Sequence, residues 1–149
     1  NADQLRKALD NIAVAYYLIH SMMVAKKRFM SSEQRVVRNF RQVAEELGVS
    51  RIIYLGPQGI DGVELKGRYK HRIKVGEIIM QGMDPVTILR TPLTIGSGSA
   101  YFEILNNLVR KYPVLFLPTW LNKNCRPIGI MVLIKFLVGV LDPRCGGTF

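Results

Sequence analysis

Two rhythms of apolar residues alternate along this chain: short uninterrupted runs, and positions three and four apart. The run Ala13 to Ile19 (AVAYYLI) is β-branched and aromatic, with no polar break. That is the pattern of a parallel strand covered on both faces. It ends at His20 and Ser21, the first polar side chains after it. Ahead of it, Asp3 to Asp10 places Leu5, Ala8 and Leu9 on one side of a short helix. Met22 to Met30 contains Lys26, Lys27 and Arg28 without a clean period and reads as a loop. Ser31, with Gln34 three residues on, has the spacing of a capping box. Apolar residues at Val36, Val37, Phe40, Val43, Ala44 and Leu47 then predict a helix that Gly48 stops.

The same alternation continues. Arg51 to Leu55 (RIIYL) predicts a strand that runs into a glycine-rich loop from Gly56 to Gly67. A helix follows from about Tyr69 to Gln81, with Ile73, Val75, Ile78 and Ile79 pointing inward. Val86 to Leu89 is the next strand, closed by Arg90, Thr91 and Pro92. Ser99 is placed to cap a helix whose inner face is Phe102, Leu105, Leu108 and Val109. Val114 to Leu117, between Pro113 and Pro118, reads as a short strand, and Ile130 to Leu141 as a final helix. Strands separated by amphipathic helices mean βαβ crossovers, so the expected fold is α/β with a mainly parallel sheet between helical layers. Ligands of such sheets sit beyond the carboxyl ends of the strands. Three places qualify: His20 with Ser21, Gly56 to Gly59, and Arg90 to Gly98.

Composition narrows this picture only a little. A chain of 149 residues is one domain's worth, and 48% apolar with 21% charged residues is ordinary for a globular protein. The charge is less ordinary, since 21 Lys and Arg against 11 Asp and Glu leave +10. That excess attracts phosphates, nucleic acid or anionic surfaces, and is equally the mark of a solvated basic surface. Cys125 and Cys145 have no C-x-x-C metal spacing and read as free thiols, with a structural pair as the alternative. The longest apolar stretch, Ile128 to Leu141, contains Lys135 and falls short of the ~20 residues that span a bilayer. No signal-peptide pattern opens the chain, so a cytoplasmic location is expected.

Candidate chemistry is sparse. A Rossmann unit shows G-x-G-x-x-G after its first strand, but here the first glycine, Gly48, follows a helix. Gly96 and Gly98 beside Ser97 and Ser99 expose N–H groups ahead of a helix, as a phosphate cradle or as a plain turn. Lys66, Arg68, Lys70, Arg72 and Lys74 alternate with His71 among them, a polyanion site or a solvated helix start. Neither His20 nor His71 has an acid partner in sequence, and no Ser-His-Asp order, metal triad or carboxylate pair is present.

Read in order, AVAYYLIHSM (Ala13 to Met22), RIIYLG (Arg51 to Gly56), VGEII (Val75 to Ile79), VTILRTPLTIGSGSAYFEIL (Val86 to Leu105) and RPIGIMVLIKFLVGVLD (Arg126 to Asp142) resemble a known family. They are similar to the later part of atypical short-chain dehydrogenases, in the NmrA-like, NAD(P)H-binding branch related to epimerases and dehydratases. The block TILR followed by IGSGSAYFE is its most specific piece. The resemblance implies a partial Rossmann-like domain over residues 1–149, an N-terminally incomplete member without the glycine-rich turn and two further strands. It implies NAD(P)H as cofactor and an unidentified small molecule as substrate. It puts His20 and Ser21 near the cofactor, Gly56 at the border of the active site, and Arg90, Thr91, Pro92 and Ile95 at the nicotinamide end.

Active members of that family use Tyr-x-x-x-Lys. Aligned on VGEII, Arg68 stands at the tyrosine position and Arg72 at the lysine position. Arg72 can hold a ribose or a phosphate, whereas Arg68 is no proton donor at neutral pH. Tyr69, one residue away, and His20 remain as candidate donors. The expectation is therefore an NAD(P)H-binding protein with weakened or absent oxidoreductase activity, prone to self-association along an exposed strand edge. The alternative is a basic, non-catalytic module for nucleic acid or another polyanion.

Overall fold

The computed structural model describes residues 2–19, 27–58, 68–82, 85–112, 114, 126–142, 144–145 and 147–148. Its elements in order are α1 (Ala2–Leu9), β1 (Val14–Tyr17), α2 (Lys27–Glu46), β2 (Arg51–Pro57), α3 (Arg68–Met80), β3 (Val86–Thr91), β4 (Thr94–Ile95), α4 (Ala100–Lys111), β5 (Ile128–Gly129), α5 (Ile130–Gly139) and β6 (Gly147–Thr148). They form two compact units, Asn1–Arg90 with Val140–Phe149, and Thr91–Gly139. The chain has the expected α/β, Rossmann-like architecture, built on parallel strands.

In the first unit the strand order is β1-β2-β3-β6. β1 and β2 run parallel, with Val14 opposite Arg51 and Tyr17 opposite Tyr54. β3 and β6 are also parallel, with Thr87 opposite Gly147. Because side chains alternate across a strand, Ala15, Tyr17, Ile52, Tyr54 and Ile88 share one face. They pack there on Leu9 of α1, on Val37, Phe40, Val43 and Ala44 of α2, and on Val75, Ile78 and Ile79 of α3. Aromatic rings occupy the middle. Tyr17 meets Phe40 edge-on, with centroids 5.0 Å apart, and lies 6.1 Å from Tyr54. Ile52, Ile53, Ile78 and Ile79 are fully buried, each contributing roughly 1.5–3 kcal/mol by leaving water.

Polar ties hold these elements in place. Arg6 of α1 pairs with Glu46 of α2 at 3.0 Å. Arg41 of α2 donates to the carbonyl of Gln81, just past the end of α3. Buried Arg51 donates through Nη1 to the carbonyls of Val140 (2.9 Å), Asp142 (3.0 Å) and Cys145 (3.2 Å). A buried guanidinium needs acceptors on this scale, and the backbone of the chain's return supplies them. Cys145 is a free thiol, and Cys125 lies outside the described residues.

Several sequence expectations are corrected. α2 starts at Lys27, so Lys27 to Met30 are helical rather than loop and Ser31 lies inside the helix instead of capping it. Lys, Arg and Met are good helix formers, and once a helix is nucleated it extends through such residues at little cost. At the other end Gly48 does stop the helix, with φ of +69° and the Val49 N–H returned to Ala44 at 2.9 Å. β1 is not covered on both faces, for Tyr16 is 37% exposed beside exposed Ile12, Leu18 and Ile19. The physical reason is that the core helices α1, α2 and α3 all lie against one face.

In the second unit β4 and β5 pair in parallel, Thr94 opposite Ile128. A Cβ at Gly96 would stand 2.5 Å from Ile130 Cγ2, so only glycine lets the chain pass there. α4 forms where predicted, but Phe102, Leu105 and Val109 are exposed and only Leu108 of the expected inner face is half-buried. Apart from Val114, the strand predicted at Val114–Leu117 falls outside the described residues. Among the described residues no helix is long and apolar enough to cross a membrane.

Burial pushes the Tyr17 phenol well above its ordinary value of 10.0, and the Glu33 charge and Tyr54 add to the shift. The folded state thus keeps this proton where the unfolded chain releases it. Its contribution is intact below about pH 10 and is lost as pH rises beyond it. Urea unfolding should show a fall in midpoint between about pH 8 and about pH 11 that Tyr17→Phe reduces. An identical fall in the variant would remove Tyr17 from this role.

Candidate functional site

The carboxyl half of β2 gathers the candidate chemistry of the first unit. Tyr54, at the middle of β2, has its ring in the core and is only 3% exposed. Two glycines make room for it. A Cβ at Gly56, two residues on in β2, would come 3.1 Å from Tyr54 Cε1, and a Cβ at Gly76 of α3 would come equally close, 3.1 Å from the same atom. The ring therefore sits where strand and helix both omit a side chain. Neither glycine is needed for backbone conformation, since neither has a positive φ.

Through this ring β2 is joined to Arg72. Tyr54 Oη donates to the Arg72 carbonyl at 2.8 Å, and Arg72 Nη2 donates to the Leu55 carbonyl at 3.3 Å. Arg72 is half-buried, and its Nε is screened from solvent without a hydrogen-bond partner. Burial raises the pKa of Tyr54, while the charge and side-chain hydrogen bond of Arg72 draw it back down. The net shift is upward, so Tyr54 is a neutral donor at neutral pH. Buried donors without acceptors are costly, and Arg41 Nε and Tyr17 Oη share that state. An anionic oxygen is the natural complement of an under-used guanidinium.

Gly56 and Arg72 are thus brought together, around a residue that sequence reasoning passed over. Tyr54 was visible only as one apolar member of the run RIIYL. The spaced glycines Gly56 and Gly76 were the available signal, since a glycine inside a strand or helix marks a close approach.

The remaining candidates are distributed otherwise. His20 and Ser21 lie outside the described residues. Tyr69 is in the first turn of α3. Arg90 is exposed at the end of the first unit, whereas Thr91, Pro92 and Ile95 belong to the second unit and are half-buried. The basic run separates into unlike parts. Lys66 is outside the described residues, Lys70 is exposed, and Lys74 pairs with Glu77 at 2.7 Å. Only Arg72 among these described side chains turns to the sheet. In the glycine-serine turn, Ser99 is the N-cap of α4 but makes no side-chain capping bond. Its Oγ donates to the Thr94 carbonyl at 3.1 Å, and its N–H to the Gly96 carbonyl at 3.0 Å. The turn is closed on itself, as a plain turn is. Among the described residues, no three His, Cys, Asp or Glu side chains gather to hold a metal.

No family model matches the sequence, and neither does any curated protein. Solved structures do share its fold. A dTDP-4-dehydrorhamnose reductase from Clostridium acetobutylicum aligns with 100% of this chain at a TM-score of 0.79 and 17% identity. The chain spans 59% of that reductase's length. A nucleoside-diphosphate-sugar epimerase from Staphylococcus aureus aligns with 99% of the chain and 50% of its own, with a TM-score of 0.74 and 15% identity. A dTDP-glucose 4,6-dehydratase variant from Streptomyces venezuelae, solved with NAD bound, covers 99% of the chain and 54% of its own at 0.73 and 14%. A triphenylmethane reductase from Citrobacter sp., complexed with NADP(H), covers 74% and 35% at 0.56 and 16%. At these identities the likeness is one of fold.

Removing the Arg72 charge tests the described geometry directly. Because that cation draws the Tyr54 pKa down, Arg72→Met should move the Tyr54 ionisation to higher pH in an ultraviolet titration. A Tyr54 titration unaltered by the substitution would contradict the contact.

Proposed function

We propose that the chain is part of an NAD(P)H-binding, Rossmann-like protein of the atypical short-chain dehydrogenase type, in the NmrA-like branch related to epimerases and dehydratases, with weakened hydride transfer. One observation carries this reading. The half-buried guanidinium of Arg72 lies against the carboxyl half of β2, donating to Leu55 with Nε unpartnered, and the carboxyl end of a parallel sheet is where nucleotides are held. The resemblance of TILR and IGSGSAYFE agrees with it. So do the fold neighbours, among them one solved with NAD and one with NADP(H).

The residues present suit an anionic dinucleotide. Arg72 supplies a planar, permanently charged donor for phosphate or for ribose oxygens. When bound, the cofactor supplies the hydride. The protein must then deliver a proton beside the acceptor, and the position aligned with the family's tyrosine is Arg68. A guanidinium does not give up a proton near neutral pH. Tyr69 is one residue off that position, and Tyr69 to Lys74 does not restore the Tyr-x-x-x-Lys spacing.

Affinity and chemistry are separately testable. These 149 residues contain no G-x-G-x-x-G, so the chain by itself should bind NADH or NADPH only weakly. Calorimetric titration should give a Kd of roughly millimolar, about −4 kcal/mol. Submicromolar binding by this chain alone would contradict the reading. With simple carbonyl substrates NAD(P)H oxidation should stay at background, and Tyr69→Phe should change nothing. Robust oxidation that collapses in Tyr69→Phe and survives His20→Ala would show an active enzyme with Tyr69 as its donor.

A further inference from the structure

We propose that Tyr54 is a positioning residue that holds Arg72 against the carboxyl half of β2 so that its guanidinium receives a phosphoryl oxyanion. The proposal rests on the dinucleotide reading for the ligand's identity, though not for the geometry. Arg72 has a long, flexible side chain, and an arginine free to sample rotamers loses much of its binding energy in being ordered. Here that ordering is built in beforehand. The Tyr54 hydroxyl donates to the Arg72 carbonyl at 2.8 Å, tying α3 to β2 at the residue that carries the charge. The Leu55 carbonyl accepts from Nη2 at 3.3 Å, fixing the far end. Between them Nε has no partner.

Tyr54 can do this because its ring is packed in the core, 3% exposed and 6.1 Å from Tyr17, centroid to centroid, in the room that Gly56 and Gly76 leave for it. A phenylalanine at this position would fill the same space and pack equally well. The hydroxyl is therefore the part whose purpose packing does not explain. It spends its proton on the main chain of the residue that carries the charge. The two glycines keep the ring in reach of Arg72 at the expense of conformational freedom in a strand and a helix.

The test compares Tyr54→Phe, Arg72→Ala and the double variant in the whole protein. The first readout needs no ligand: the heteronuclear NOE of the Arg72 Nε–Hε pair, with exposed Arg38 as the mobile reference. It should be rigid in the unaltered protein and fall towards the Arg38 value in Tyr54→Phe, while the melting temperature stays nearly the same. The second is titration with inorganic pyrophosphate, NADH and NADPH. Tyr54→Phe should weaken binding roughly fivefold, the worth of one hydrogen bond, and add less than about twofold to Arg72→Ala because the two act as a unit. Equal losses for NADH and NADPH assign the oxyanion to the pyrophosphate, and a loss confined to NADPH assigns it to the 2′-phosphate. Either result supports the proposal.

Failures are distinguishable. If dinucleotide binding needs Arg72 but Tyr54→Phe leaves both NOE and affinity unchanged, the positioning role is overturned while the dinucleotide reading stands. The role is likewise overturned if the Tyr54→Phe loss is the same with and without Arg72. If pyrophosphate depends on both residues but neither dinucleotide binds, the positioning role survives and the dinucleotide reading falls. No binding of any of the three overturns both.

Discussion

The ring of Tyr54 fills the space between β2 and α3, and much of the first unit is arranged around it. That space exists because Gly56 and Gly76 each omit the Cβ that would otherwise meet the ring at 3.1 Å. Close-packed interiors transmit such a constraint outward. Tyr54 lies against Tyr17, and Tyr17 meets Phe40 edge-on, so the aromatic cluster sets the separation of α2 and α3 from the sheet. The hydroxyl of the same residue reaches Arg72. One side chain therefore links the packing of the core to the charge beside the strand.

The cluster around Tyr54 lies on one side of the sheet, while Ile53 and Leu89 are buried on the other. Helices α1, α2 and α3 cover the face that carries Ala15, Tyr17, Ile52, Tyr54 and Ile88. On the other face β1 presents Tyr16 at 37% exposure. Farther along the sheet, Arg51 is buried with three backbone carbonyls of the returning segment around one nitrogen. An arginine in that place is a demanding choice, because a buried charge is tolerated only when its donors are satisfied. It makes the end of the chain part of the same unit as the first strands. Thr87 adds a weaker bond to the same Cys145 carbonyl at 3.4 Å.

The basic run in α3 illustrates how an excess of charge divides among different tasks. Lys70 stays in solvent, Lys74 is neutralised by Glu77 one turn on, and Arg72 is drawn against the sheet. Exposed pairs of the Lys74–Glu77 kind contribute little to stability. Arg72 differs because its surroundings are drier and its acceptors are incomplete. Net charge alone would have treated the three as one surface.

What the sequence determined by itself was the order and kind of the larger elements. Uninterrupted apolar runs became β1, β2 and β3, and three-to-four spacing became α2, α3 and α4, because burial period follows directly from backbone geometry. Gly48 announced the end of α2 for the same local reason, its φ of +69° being natural only to glycine. The Ser31 capping pattern misled, since a cap acts only if the helix has not already begun at Lys27. Resemblance singled out Gly56 and Arg72. Tertiary structure alone decided that they meet around Tyr54, that β1 has one open face, and that Phe102, Leu105 and Val109 of α4 are exposed. Such outcomes depend on which surfaces come within a few ångströms of each other in three dimensions. Periodicity records which residues share a face, and it carries no information about what that face will meet.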